Sequence, residues 1–451
     1  MFREEARRTF QTNVLGSTAI HTVEPKNIQA MLATQFGDFE LGRMRRGVLF
    51  QLIGTGISAS DGKAWEHSRA MLRPQFVKSH IADLGLQEKH IQELFRQLPT
   101  NEDGWTDQIN ISQMFFRFTL DFTTEFLFGT TVHSQRYLSH QVSIPEADES
   151  FPWKDLPENF DGGTKHVQKR FNLLDLYWMH NPKRFRENIK KVHEFIDFCI
   201  QDGMERAKHQ ESCTTSSEKK SNFLNGLITV IQDPVELRNQ SLNILIASRD
   251  TTTSLVSWTF WLLAKHPNIY NQLRFHILND FGPPEQTDRI TFETLKTSKY
   301  LQYVMKEVLR LYPPIAINSR KATRDTTLPL GGGPDEKARI FIKKGQVVIF
   351  YPHVTHTLDE FWAPDASRFD PSRWADAKSG WAYLPFSGGP RTCLGQQFAL
   401  AEAGYIIARM LQRFDEIKLV DPDAGPIHRP GTTDGPADYM IYFHKAPASN
   451  Q

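Results

Sequence analysis

Apolar positions along this chain recur mostly at helical spacing. Residues 91–129 hold two such runs, dense in Phe115, Phe116, Phe118, Phe122, Phe126 and Phe128, which read as core. Residues 166–208 are helical as well, with Trp178 and Phe185 among the apolar positions. A longer helix opens at Asp233-Pro234-Val235-Glu236 and runs to Lys265. Asp233 suits its cap, Pro234 its first helical position and Glu236 a capping box. Phe398, Ala401, Tyr405 and Ala408 mark the buried face of another helix. Residues 24–32 read as a helix entry, and residues 19–23 and 340–351 as strands. Residues 325–333 read as a hairpin, 431–439 as a turn entering a pocket, and 134–165 and 210–222 as exposed loops. The apolar, glycine-bearing stretch 46–54 reads as a loop over a ligand or as core.

Composition narrows the function. The 451 residues carry a net charge near zero, +1, which argues against a nucleic-acid partner. No long Gly/Ser or Pro linker divides them, so one large domain over 1–451 is expected. Three cysteines, Cys199, Cys213 and Cys393, cannot form a disulfide framework. No apolar run is long enough to span a membrane. The glycines 331–333 lack a following Gly-Lys-Ser/Thr, so they do not form a phosphate loop.

The chemistry concentrates in Phe386-Ser387-Gly388-Gly389-Pro390-Arg391-Thr392-Cys393-Leu394-Gly395. Its small residues let the backbone turn tightly and approach a flat ligand. Cys393 stands at the mouth of a helix, where free N–H groups favour a thiolate. One cysteine is too few for a zinc or iron–sulfur site, but haem iron needs a single proximal ligand. The alternative is a buried structural cysteine in a glycine-rich turn. Elsewhere, Ser248, Thr251, Thr252 and Thr253 lie inside the long helix, where hydroxyl residues are unfavourable unless something uses them.

The pattern Phe-x-x-Gly-x-Arg-x-Cys-x-Gly resembles that of the cytochrome P450 family of haem-thiolate monooxygenases. The following Gln396-Gln397-Phe398-Ala399-Leu400 looks most like the fungal branch that hydroxylates alkanes and fatty acids. Further motifs fall in family order: Trp65-x-x-x-Arg69, Asp250-Thr251, Glu307-x-x-Arg310 and Pro371-Ser372-Arg373. The resemblance implies a mainly α fold with a smaller β-rich part, and haem b between the long helix and the Cys loop. It implies Cys393 as axial ligand to the haem iron, Phe386 packed near the sulfur, and Trp65, Arg69, Arg320 and Arg391 as haem contacts. Asp250 and Thr251 would deliver protons, and Glu307, Arg310 and Arg373 would form a structural triad. Ala247, Ser248, Ile315 and Ile317 would line the substrate pocket. Ser248 stands where the family usually has Gly.

The implied reaction inserts one oxygen atom of O2 into a C–H bond of a lipophilic substrate. That substrate would be a fatty acid, an alkane or a fungal secondary metabolite. No flavin or nicotinamide fingerprint occurs, so NADPH would act through a separate cytochrome P450 reductase with its flavins. The protein is expected as a monomer at the cytosolic face of the endoplasmic reticulum. The polar start Met1-Phe2-Arg3-Glu4 shows neither the membrane helix nor the proline-rich hinge of microsomal members, which reads as truncation. Two other readings stay open: a haem-thiolate isomerase or dehydratase working without O2, and a non-catalytic haem-binding protein.

Overall fold

The computed structural model describes residues 7–14, 17–76, 84–137, 152–211, 222–429 and 431–447. We number the longer helices in chain order: α1 Arg43–Ile53, α2 Gly62–Leu72, α3 Gly85–Arg96, α4 Ile111–Phe128 and α5 Leu156–Asn172. Then come α6 Lys183–Glu211, α7 Pro234–Lys265, α8 Pro267–Phe281, α9 Lys299–Leu311 and α10 Gln396–Arg413. A five-stranded sheet gathers β1 Thr9–Val14, β2 Ser17–Thr22, β3 Phe39–Glu40, β4 Asn318–Ala322 and β5 Val347–Phe350. Its order is β1-β2-β5-β4-β3. The β2–β5 pair is parallel and the other pairs are antiparallel. Thr326–Gly332 and Ala338–Ile342 form the hairpin read from the sequence. The architecture is mainly helical with smaller sheets, as expected.

Helix α7 organises the core. Leu237, Leu242 and Leu245 pack with α1, α5 and α6, while Leu255, Trp258 and Leu263 pack with α4, α8, α9 and α10. A helix apolar on all sides belongs inside a protein. Asp233 caps α7 by accepting the Val235 N–H at 3.0 Å. Glu236 does not complete a capping box and instead lies 3.3 Å from His67 Nε2. Two of the buried hydroxyls find partners on neighbouring helices: Thr253 Oγ1 lies 2.8 Å from Thr119 Oγ1, and Thr252 donates to Glu402 at 3.0 Å.

Several expectations shift. The stretch 46–54 belongs to helix α1, because Val48, Leu49, Leu52 and Ile53 share one buried face. Helix α5 starts at Leu156, inside the expected loop, and buries Phe160 and Val167. The polar composition of its outer face hid the helical spacing. The run 166–208 is two helices broken by a 3-10 turn at Leu174–Met179, and Trp178 is 64% exposed rather than core. The loop expected at 210–222 falls mostly outside the described residues.

The Glu307 triad closes the core beside α9. Arg310 reaches the carboxylate of Glu307 through Nε at 2.8 Å and Nη2 at 2.7 Å, and Arg373 Nε donates to it at 2.9 Å. Trp374 Nε1 adds a fourth bond at 2.9 Å. Arg310 also holds the carbonyls of His356, Ala366 and Arg368, so one cluster staples the connection 356–374 onto α9. Removing one partner of a buried pair strands the other charge. Glu307→Gln is therefore expected to lower stability by about 3–5 kcal/mol in chemical denaturation, whereas Glu416→Gln, in an exposed pair with Lys418, changes it little.

Candidate active site

The Cys loop is shaped by two residues in the left-handed region, Ser387 at φ +62° and Gly389 at φ +66°. A Cβ on Gly389 would lie 1.8 Å from the Leu32 carbonyl oxygen, so only glycine fits this approach. The loop closes when Cys393 N–H donates to Phe386 O at 3.0 Å. Phe386 packs against the main core. Helix α10 begins at Gln396 and buries Phe398, Ala401, Tyr405 and Ala408, as its spacing predicts. The Cys393 thiol is open to solvent although protein surrounds it on most sides. That desolvation raises its pKa, and the Gly395 N–H and the Arg69 guanidinium pull it back. The net direction is a rise, against the expectation from the helix terminus alone. A metal cation supplies the missing charge, since coordination deprotonates a thiol.

Beside the loop, Arg45, Arg320 and Arg391 gather near the Asp61 carboxylate, and Arg46 lies 4.0 Å from it. Arg391 donates to Asp61 Oδ1 at 2.7 Å and to Ser60 O at 3.0 Å, and lies 4.4 Å from the Trp65 ring centre. Arg69, on the same α2 face as Trp65, donates to Thr392 O at 3.1 Å and so braces the Cys loop. Arg45 and Arg320 both donate to Asn318 Oδ1, at 3.0 and 3.2 Å. Arg45 Nε and Arg320 Nε are buried without a partner among the described residues. Burial, then the neighbouring Arg45 and Arg391, push Arg320 down to about 9. Burial pushes Arg391 to about 10, against the pull of Asp61. Such a buried excess of positive charge calls for an anion, and the two carboxylates of a haem match it. An exposed thiol in a glycine-shaped loop beside this cluster fits haem with Cys393 as ligand.

The middle of α7 supplies the next wall. Ala247 is exposed and Ser248 and Thr251 are half-buried, at the point where one core cluster gives way to the other. Ser248 Oγ bonds back to Ile244 O at 2.9 Å and Thr251 Oγ1 to Ala247 O at 2.6 Å. Asp250 faces away from that strip and is buried. Burial raises its pKa, and Arg249, bonded to it at 3.2 Å, opposes the rise. Ile315 and Ile317 are 36% and 59% exposed. The bond from Thr252 to Glu402 pins this part of α7 to α10, the helix that Cys393 precedes.

Sequence reasoning missed four of these residues. Asp61 was given no role, yet its carboxylate accepts the Leu41 and Gly42 N–H groups as well as the Arg391 guanidinium. Arg45 belongs to the basic run Arg43-Met44-Arg45-Arg46, which was a visible signal. Arg249 sits between motif residues and gave none. Glu402 is wholly buried, with one oxygen unpartnered among the described residues, and burial pushes it up to about 8.

Comparison with known proteins agrees with this geometry. The family model for cytochrome P450 matches residues 2–429. The chain is 43% identical over 430 residues to the cytochrome P450 monooxygenase g430 of Fusarium sp, covering 94% of this chain and 74% of that one. It is 42% identical over 427 residues to cytochrome P450 52A13 of Debaryomyces hansenii, covering 93% and 81%. It is 38% identical over 435 residues to the cytochrome P450 monooxygenase alt2 of Alternaria solani, covering 94% and 80%. The chain belongs to the cytochrome P450 family of haem-thiolate monooxygenases.

Proposed function

We propose that this protein hydroxylates long-chain lipophilic substrates, fatty acids before alkanes, with Cys393 as the haem ligand. The observation that carries the reading is the exposed Cys393 thiol in a loop braced by Arg69 and flanked by the under-neutralised arginine cluster. Arg45, Arg320 and Arg391 hold the propionates and Trp65 orders Arg391. Haem bound there supplies the oxygen-activating chemistry of the family. Asp250 stores a proton on the buried side of α7, and Thr251 holds its hydroxyl on the exposed strip as the acceptor side of the relay. Ala247, Ser248, Ile315 and Ile317 keep the reacting chain in an apolar, water-poor space. Electrons come from NADPH through a separate reductase.

Two features support the substrate class and the setting. Helix α1 presents Arg43, Arg46 and Phe50 to a cleft of about 530 Å³, which Arg170 and Tyr177 complete. An arginine-lined mouth suits a carboxylate head and an apolar tail better than an alkane. The same end of the molecule exposes Leu173, Leu174, Leu176, Trp178 and Met179 in sequence. Among the described residues no helix is long and apolar enough to cross a membrane. We place the protein at the cytosolic face of the endoplasmic reticulum, with this apolar run turned to the lipid.

Three outcomes test these statements. Cys393→Ser, loaded with haem, is expected to lose the thiolate-type carbon monoxide band of the reduced protein; its retention removes Cys393 as ligand. Titration of the loaded protein with dodecanoic acid is expected to give a saturable shift of the main visible band, tighter than for dodecane. No shift with either, despite an intact carbon monoxide band, moves the substrate to a secondary metabolite. Trp178→Ser with Leu174→Ser is expected to reduce co-sedimentation with phosphatidylcholine vesicles; unchanged binding places the membrane contact elsewhere.

A further inference from the structure

Arg249 is only 2% exposed and is shared between two helices. Its Nη2 donates to Asp161 Oδ1 on α5 at 2.6 Å, and its Nη1 to Asp250 Oδ1 on α7 at 3.2 Å. The guanidinium lies over the rings of Phe116 at 4.7 Å and Phe160 at 4.8 Å, which fix its plane. The shorter bond is the one to α5, so the arginine leans toward Asp161. Asp161 is 37% exposed, whereas Asp250 is buried. Two more charges act on the group. Arg429 lies 4.1 Å from the Phe116 ring centre and pulls on Asp250, and Glu158 acts on Arg249 while bonded to Arg117 at 2.8 Å.

We propose that Asp161 is a positioning residue that competes with Asp250 for Arg249, so that the seating of α5 sets whether Asp250 keeps its proton. With α5 seated, Asp161 draws the guanidinium away and adds its own negative charge, and buried Asp250 stays protonated. With α5 lifted, Arg249 is left to Asp250 alone and stabilises the carboxylate. A closed pocket thus keeps Asp250 beneath it as a neutral, protonated donor, and an open one does not. The use of that proton rests on the reading of Asp250 given above; the linkage between α5 and Asp250 does not.

The sign follows from reciprocity. If seating α5 raises the proton affinity of Asp250, then ionising Asp250 loosens α5. The test is amide hydrogen exchange over residues 156–172 of the haem-loaded protein across the neutral range, corrected for the intrinsic pH dependence of exchange. Wild type is expected to exchange faster on the alkaline side, by about fivefold or more. Asp250→Asn is expected to abolish that pH dependence. Asp161→Asn is expected to raise exchange at every pH and also to flatten the profile. The same pH dependence in wild type and Asp250→Asn overturns the proposal. Product formed per NADPH in Asp250→Asn is read alongside. A normal yield with the exchange linkage intact leaves the linkage standing and removes Asp250 as donor.

Discussion

A buried surplus of positive charge is the constraint on which the site depends. Arg45, Arg320 and Arg391 arrive from α1, β4 and the Cys loop to share the Asp61 carboxylate, and Arg69 of α2 adds its charge beside Arg391 and Cys393. Guanidinium groups cannot shed their protons at physiological pH, so burial is tolerated only where an anion completes the neutralisation. The elements that carry these arginines are consequently held by more than apolar packing. Asp61 ties the start of α2 to the backbone before α1, and Arg69 ties α2 to the carbonyl of Thr392. These unfinished electrostatics are what an anionic prosthetic group would complete.

Helix α7 solves a different problem. It is buried over most of its length, yet it carries an arginine, an aspartate and several hydroxyls in its middle. Several buried polar groups are answered by a neighbour, Thr253 by Thr119, Thr252 by Glu402, and Arg249 by Asp161 and Asp250, whereas Ser254 Oγ and Ser257 Oγ have no partner among the described residues. The half-buried hydroxyls of Ser248 and Thr251 turn back to carbonyls of their own helix. Paired inwardly, these groups leave Ala247 and its neighbours as a smooth apolar strip between the two core clusters.

The roof is attached through Arg170 as well. It donates to Gln51 and to the Gly47 carbonyl, and lies 5.1 Å from the Tyr177 ring centre. A Cβ at Gly47 would meet the Tyr177 hydroxyl at 2.0 Å, so α1 and the turn after α5 are in close register. Polar clasps of this kind open at lower cost than interlocked apolar layers.

Much was legible in the sequence because its signals are local. The Cys loop announces itself through Gly388, Gly389, Arg391 and Cys393, since tight turns and helix starts are encoded within a few residues. The long helix was legible from its cap and its length, and Glu307, Arg310 and Arg373 from their spacing and surrounding prolines. What stayed hidden depends on residues far apart in the chain. Asp61 gained meaning only when folding brought Arg391 to it, and Arg249 only when α5 laid Asp161 against α7. The helical form of α1 and of the first turns of α5 was hidden because their apolar positions make sense only against each other. Sequence determined the family and the order of the long helices; tertiary structure decided which charges are paired, because electrostatic pairing is set by proximity in space and by burial, not by position in the chain.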